Sequence, residues 1–223
     1  MMFRRIAVVL SLFVFSLTSC WQKTSNQEAD KQEDNTLIIR SEEDIKSRIE
    51  NKAKEALLYC ETNDYNTSFC VLIDMKIHSG KHRMFVYDFK NQKVEHSALC
   101  AHGCGKDNQK STGAEPVFSN EEGSLLSSLG KYKIGIRSYS QWGINVHYKL
   151  HGLEASNNNA FQRIIVLHSH TPMTSSEIYP NHLPMGWSFG CPVTDDHTMT
   201  YLDSKLKNTQ KPVLLWMYYD DEL

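Results

Sequence analysis

Apolar and polar positions along this chain fall into two rhythms. Ile45, Ile49, Ala53, Ala56 and Leu57 recur at helical spacing, and Ser41 with Asp44 opens that stretch like a capping box, which predicts a helix over residues 42–59. After it the rhythm shortens to that of strands. "FCVLIDMKI", "HRMFVYDF", "KVEHSALCA", "KYKIGIRSY", "NVHYKLHGL", "RIIVLHSH" and "KPVLLWMYY" read as strands, separated by clusters of Gly, Asn, Lys and Ser. "HTMTYLDSKLKN" near the end reads as one amphipathic helix. There is no internal repeat. The expected class is mainly β, with a few helices at the edges.

The first forty residues follow neither rhythm. "MMFRR" is a basic start, and "IAVVLSLFVFSLTS" is an apolar run too short to cross a membrane comfortably. It ends in "LTSC", Leu17 to Cys20, which resembles a lipobox and implies that Cys20 is lipidated and becomes the mature N-terminus. The plain alternative is a secretory leader with a chance cysteine. Residues 21–36, "WQKTSNQEADKQEDNT", are polar and read as a disordered tether, with an r.m.s. span of roughly 20–25 Å. The expected organisation is a lipoprotein signal peptide over 1–19, a lipid anchor and tether over 20–40, and a folded domain over 41–223 with its core at about 65–220. The formal charge of −2 becomes −4 once Arg4 and Arg5 leave with the leader. No basic patch of size suggests a nucleic-acid partner.

With Cys20 assigned to lipid, Cys60, Cys70, Cys100, Cys104 and Cys191 remain, an odd number. In an exported protein this leads us to expect at least one disulfide among the first four and a free thiol at Cys191. Five buried, reduced thiols are the alternative. "HSALCAHGC" gathers His96, Cys100, His102 and Cys104 in the manner of a zinc site, with Asp195, Asp196, His182 and His197 as further candidate ligands near His168 and His170, but no tight ligand spacing links them. Neither a metal nor a cofactor is expected.

"GWSFGCPV", residues 186–193, is the most informative short stretch. Gly190 permits angles that other residues resist, and Pro192 fixes the next φ. Cys191 is therefore expected on a sharp bend at the end of a strand. In "RIIVLHSH", Ile164, Val166, His168 and His170 share one face of a strand. A strand, a loop and a returning strand would bring His168 to Cys191, where an imidazole can take the thiol proton.

His168, then Ser188-Phe189-Gly190-Cys191-Pro192, resembles the murein L,D-transpeptidase catalytic-domain family, and in particular an exported branch that reads S-x-G-C-P. "RMFVYDF", "AHGCG", "FSNEEGSLLSSLGKY", "KLHGLEASNNNAFQRIIVLH" and "KPVLLWMYY" carry the same likeness over roughly residues 65–220. The resemblance implies an L,D-transpeptidase-like β-sandwich or barrel and acyl transfer on peptidoglycan stem peptides. Cys191 would attack the diaminopimelate carbonyl of a tetrapeptide and D-Ala would leave. His168 matches the base, with His170 as its rival. Ser169 would orient the imidazole, and N–H groups around Gly190 and Cys191 would form an oxyanion hole. His170, Trp187, Ser188 and Phe189 are the expected substrate contacts. Phe189 stands where the family commonly has His, and Trp187 where a basic residue is expected, so Lys131, Lys149 and Arg163 are candidates for an alternative charge partner. An L,D-carboxypeptidase would differ only in handing the acyl group to water. A non-catalytic wall-binding lipoprotein is the reading from another class, and a zinc-dependent lipoprotein a third. The implied partners are peptidoglycan stems and, through the lipid, a membrane on the periplasmic side. The domain itself is expected to be monomeric.

Overall fold

The computed structural model describes residues 42–106 and 109–220. The leader, Cys20, the tether and the Ser41 cap lie outside the described residues. A helix over residues 42–62 (α1) precedes β1 (Phe69–Asp74), β2 (Met84–Asp88) and β3 (Lys93–Ala98). A small hairpin of β4 (Gly105–Lys106) and β5 (Gln109–Lys110) follows. Then come β6 (Gly130–Tyr139), β7 (Val146–Gly152), β8 (Val166–Ser169), β9 (Val193–Thr194), α2 (Asp196–Leu206) and β10 (Val213–Tyr218). Each predicted strand run overlaps one of these strands, and both predicted helices are present.

Eight strands form one sheet in the order β3-β2-β1-β10-β6-β7-β8-β9. Its two edges curl toward each other. Past β3, Ala101 donates its N–H to the Val193 carbonyl of β9 at 2.8 Å, so the sheet is a nearly closed barrel. This agrees with the mainly-β expectation.

Alternation assigns each face its partner. Val71 and Ile73 of β1, Leu215 and Met217 of β10, and Tyr148 and Leu150 of β7 pack with Met199, Leu202 and Leu206 of α2. Cys70, Leu72, Leu214 and Tyr218 point the other way and pack with Ile49, Ala53, Ala56 and Cys60 of α1. Central strands covered on both faces read as unbroken apolar runs, which is why "FCVLID" and "VLLWMY" show no polar alternation. Arg48 of α1 reaches through to Asp74 at the end of β1, with its Nε at 2.7 Å from one carboxylate oxygen and its Nη2 at 3.0 Å from the other.

One expectation about cysteine chemistry needs correction. The five described cysteines are all free thiols, so the expected disulfide among Cys60, Cys70, Cys100 and Cys104 is absent. Three of them are fixed by packing. Cys60 and Cys70 lie in the layer under α1, and Cys100 in the layer under α2. The histidines of the zinc-like stretch have other partners. His96 faces the Thr198 hydroxyl of α2 at 2.9 Å, and His102 faces Arg83 at 2.8 Å. Asp195 is the N-cap of α2, accepting the Thr198 N–H at 3.0 Å.

Candidate active site

The edge of the barrel at β7, β8 and β9 builds a groove. Leu167 of β8 and Ile165 just before it face the core, and Val166 and His168 of β8 face the groove. The expected shared face of Ile164, Val166, His168 and His170 is the face that lines the groove. Its register with β7 pairs His147 with His168, and its register with β9 pairs His168 with Val193. Cys191 therefore sits two residues ahead of the partner of His168, on the same face. The groove holds about 450 Å³ and is lined by both residues.

The turn that carries the thiol is tightly held. Gly190 has φ +120°, and a Cβ there would stand 2.8 Å from Ile165 Cδ1 and 2.9 Å from the Leu126 carbonyl. Ser188 is buried, and its hydroxyl staples the turn. It accepts the Gly190 N–H at 3.0 Å and donates to the Cys191 carbonyl at 2.6 Å. Ser127 donates to the Gly190 carbonyl and accepts the Gly103 N–H, both at 3.0 Å. Two expectations change as a result. The Ser188 hydroxyl is committed within the turn rather than offered to a substrate. The Gly190 N–H is committed to it, leaving that of Cys191 as the remaining member of the expected oxyanion pair.

Val166 donates its N–H to the Cys191 sulfur at 3.4 Å, and the thiol faces the Ile164 carbonyl at 3.9 Å. Ile164 holds φ +56°, a left-handed conformation that a β-branched residue rarely takes. Strain of that kind gathers at functional sites, and no pattern in the sequence announces it. Burial pushes the Cys191 thiol up to about 11, against the opposing pull of the Val166 N–H and Arg163.

His168 is buried, and its Nδ1 lies 3.0 Å from the Ser169 carbonyl. A carbonyl only accepts, so Nδ1 carries the proton in the neutral ring and Nε2 keeps the lone pair. Burial holds the imidazole below its ordinary range, with the Ser169 carbonyl opposing. The resting pair is thus a neutral imidazole and a protonated thiol. Ser169 does a second job, since its hydroxyl accepts the Ile144 N–H at 3.1 Å and pins the β6–β7 hairpin. Gly143 makes this approach possible, because a Cβ there would fall 1.9 Å from that hydroxyl.

His170 lies at the rim. Its ring leans between Trp142 at 5.9 Å and Trp187 at 5.4 Å, with no orienting carbonyl like that of His168 among the described residues. Trp187 and Phe189 wall one bank, and Tyr139 and Trp142 the other. The candidate cations stand elsewhere. Lys131 pairs with Glu154 at 2.7 Å, Lys149 lies 5.5 Å from the Phe161 ring centroid, and Arg163 donates to the Ser119 and Leu126 carbonyls beneath the turn. No Lys, Arg, Asp or Glu is among the lining residues, all of which are described. Sequence reasoning missed His147, Trp142 and Tyr139, which reach the groove only through the β6–β7 hairpin and its register.

A tightly held turn thus presents a thiol in the same groove as an imidazole whose tautomer is fixed by a backbone carbonyl. The family model of the L,D-transpeptidase catalytic domain matches residues 41–218, and the chain belongs to that family. Among curated proteins none matches. Solved structures that it resembles include the helical cell shape determining protein Pgp2 from Campylobacter jejuni, at 12% identity and a TM-score of 0.45, covering 70% of this chain and 49% of that one. An L,D-transpeptidase from Xylanimonas cellulosilytica is 13% identical, with a TM-score of 0.35, 68% of this chain and 60% of that one. The chain spans about half the length of the Pgp2 chain.

Proposed function

We propose that this protein is a cysteine-dependent L,D-transpeptidase acting on peptidoglycan stem peptides, anchored through Cys20 to an envelope membrane. The observation that carries the reading is the His168–Ser169 contact, which leaves the Nε2 lone pair of a groove imidazole as the base on the strand beside Cys191. With the thiol at about 11, roughly one molecule in ten thousand is a thiolate at pH 7, so the thiol needs a base. His168 takes the thiol proton as the sulfur attacks the diaminopimelate carbonyl, and the Cys191 N–H faces the developing oxyanion. The C–N bond to D-Ala breaks, and the imidazolium gives its proton to the departing amine. A second stem's amine then attacks the thioester, forming the cross-link and releasing the thiol.

Incubation of the purified protein with muropeptides, followed by mass analysis, tests this. Cross-linked dimers with loss of D-Ala are expected. Loss of D-Ala without dimers would make the protein an L,D-carboxypeptidase. Unchanged muropeptides would leave it a wall-binding protein on the same fold.

A further inference from the structure

The outer face of β6 and β7 carries a charged cluster that acylation as described above does not use. Lys149 and His151 share one face of β7, and the β6–β7 register pairs His151 with Lys133. The His151 ring lies over Gly135, where a Cβ would stand 2.6 Å from its Nε2, and the Phe161 ring stacks on it at 4.7 Å. Lys149 Nζ reaches the same platform, 5.5 Å from the Phe161 ring centroid. Diagonal neighbours on paired strands hold their Cβ atoms roughly 7–8 Å apart, so the ammonium groups of Lys133 and Lys149 can converge on one anion. Neither has a carboxylate partner among the described residues, and Glu154, just past β7, is taken by Lys131 at 2.7 Å. Burial first, and then the charges of Lys133 and Lys149, hold the His151 imidazole below its ordinary range, as expected beside cations that lack a counter-charge.

The cluster stands at a defined end of the groove. β8 and β9 run parallel with His168 opposite Val193, so Cys191 is level with Val166, whose N–H meets its sulfur at 3.4 Å. Lys149 is the β7 partner of Val166. Leu150 donates its N–H to the Ile165 carbonyl at 3.1 Å, which continues the register and brings His151 level with Ile164. His168 lies on the opposite side of Val166 along β8. The departing amine takes its proton from His168, so D-Ala points from the sulfur toward His168. The rest of the stem then runs the other way, past Val166 toward Ile164. In a stem, the residue before diaminopimelate is a glutamate joined through its γ-carboxyl, which leaves its α-carboxylate free. One residue of extended chain spans about 3.4 Å and Ile164 is two residues from Val166, so that carboxylate passes beside Lys149 and His151.

We propose that Lys149 and Lys133, propped by the stacked rings of His151 and Phe161, form a carboxylate subsite that binds the free α-carboxylate of the residue preceding diaminopimelate and so sets the direction in which the donor stem lies. This rests on the acyl-transfer reading above. It also accounts for a groove with no Lys or Arg in its lining although the stem it takes is anionic. The charge partner stands on β7 and β6, past the Ile164 end, rather than beside Ser188.

The test uses two donor tetrapeptides that differ only at that group, one with the α-carboxylate and one with the α-carboxamide. Thioester formation on Cys191 of the full chain is followed by intact-protein mass spectrometry over a range of stem concentrations. The wild type is expected to reach half-saturation at ~10-fold lower concentration with the carboxylate stem, at about threefold per lysine, which is within the range of partly exposed ion pairs. The preference should fall to about threefold in Lys149→Met and in Lys133→Met, vanish in the double variant, survive in Lys149→Arg and weaken in high salt. A wild type that takes both stems equally would overturn the proposal, as would a preference that the double variant keeps. Equal loss in Lys149→Arg and Lys149→Met would overturn it too, because packing rather than charge would then be responsible. If the wild type forms no thioester with either stem, the acyl-transfer reading itself fails and the subsite falls with it, an outcome distinct from equal use of both.

Discussion

Gly190→Ala probes how the turn creates the site. The residue holds φ +120°, where an L side chain is strained by about 1–3 kcal/mol. The new Cβ would also stand 2.8 Å from Ile165 Cδ1 and 2.9 Å from the Leu126 carbonyl. Ile165 is a core residue and Leu126 is bolted in place by Arg163, so neither yields freely. Overpacking of this kind adds about 1–3 kcal/mol. The sum, about 2–6 kcal/mol, lies below the roughly 10 kcal/mol stability of a mid-range domain, so the protein is expected to fold. Its thermal midpoint should fall by about 4–24 °C, at roughly 2–4 °C per kcal/mol for a domain of this size. The relief comes from moving the turn, and with it the sulfur. A displacement near 1 Å at a reacting atom is worth about 10²-fold in rate. Calorimetry and thioester formation on the same preparation measure both. An unchanged midpoint with wild-type acylation would show that the turn is not held as described.

Asp74→Asn should be destabilising by about 2–4 kcal/mol in urea titrations, because it leaves Arg48 facing a neutral group at a site where the carboxylate is wholly buried, while Arg48 keeps some contact with water. No change would mean that α1 is held by its apolar stripe alone. His102 is held at about 3 by burial, with Arg83 Nη2 donating to its Nδ1, against an ordinary value of 6.5. The unfolded chain takes up a proton there as pH falls below 6.5 and the folded one does not until about 3, so stability is lost across that window. At about 1.4 kcal/mol per pH unit, the gap in stability between wild type and His102→Asn should shrink by roughly 3 kcal/mol from pH 7 to pH 4. A constant gap would contradict the buried neutral ring. In thiol counting without reductant, Cys104 and Cys191 should react in the native state, and Cys60, Cys70 and Cys100 only after denaturation, since these three are buried and the other two are partly exposed. Fewer than five reactive thiols among these positions after denaturation would reveal a disulfide.

Local pattern made much of this molecule legible. The α1 stripe, the alternation of β6 and β7 and the apolar runs of β1 and β10 each record which faces are covered. The bend at Gly190 and the place of His168 near it also follow from neighbouring residues. What stayed hidden depends on register and packing. His147 and His151 alternate along "NVHYKLHGL", and only pairing with β8 sets His147 opposite His168. Ser188 reads as a groove contact in the sequence, but the turn folds its hydroxyl back onto its own backbone. The odd cysteine count suggested pairing, yet the sheet separates Cys60 and Cys70 from Cys100 by placing them on opposite faces.

The most direct measurement is intact-protein mass spectrometry after brief mixing with defined stems, in wild type, Cys191→Ala and His168→Ala. A tetrapeptide stem should add its acyl group to Cys191 with loss of D-Ala. Cys191→Ala should form no adduct, and His168→Ala should form it ~10²–10⁴-fold more slowly. A pentapeptide stem places an extra residue where the leaving group must fit and should react poorly. An adduct from the pentapeptide but none from the tetrapeptide would contradict the L,D assignment. An adduct that survives in Cys191→Ala would remove the thiol from the chemistry altogether.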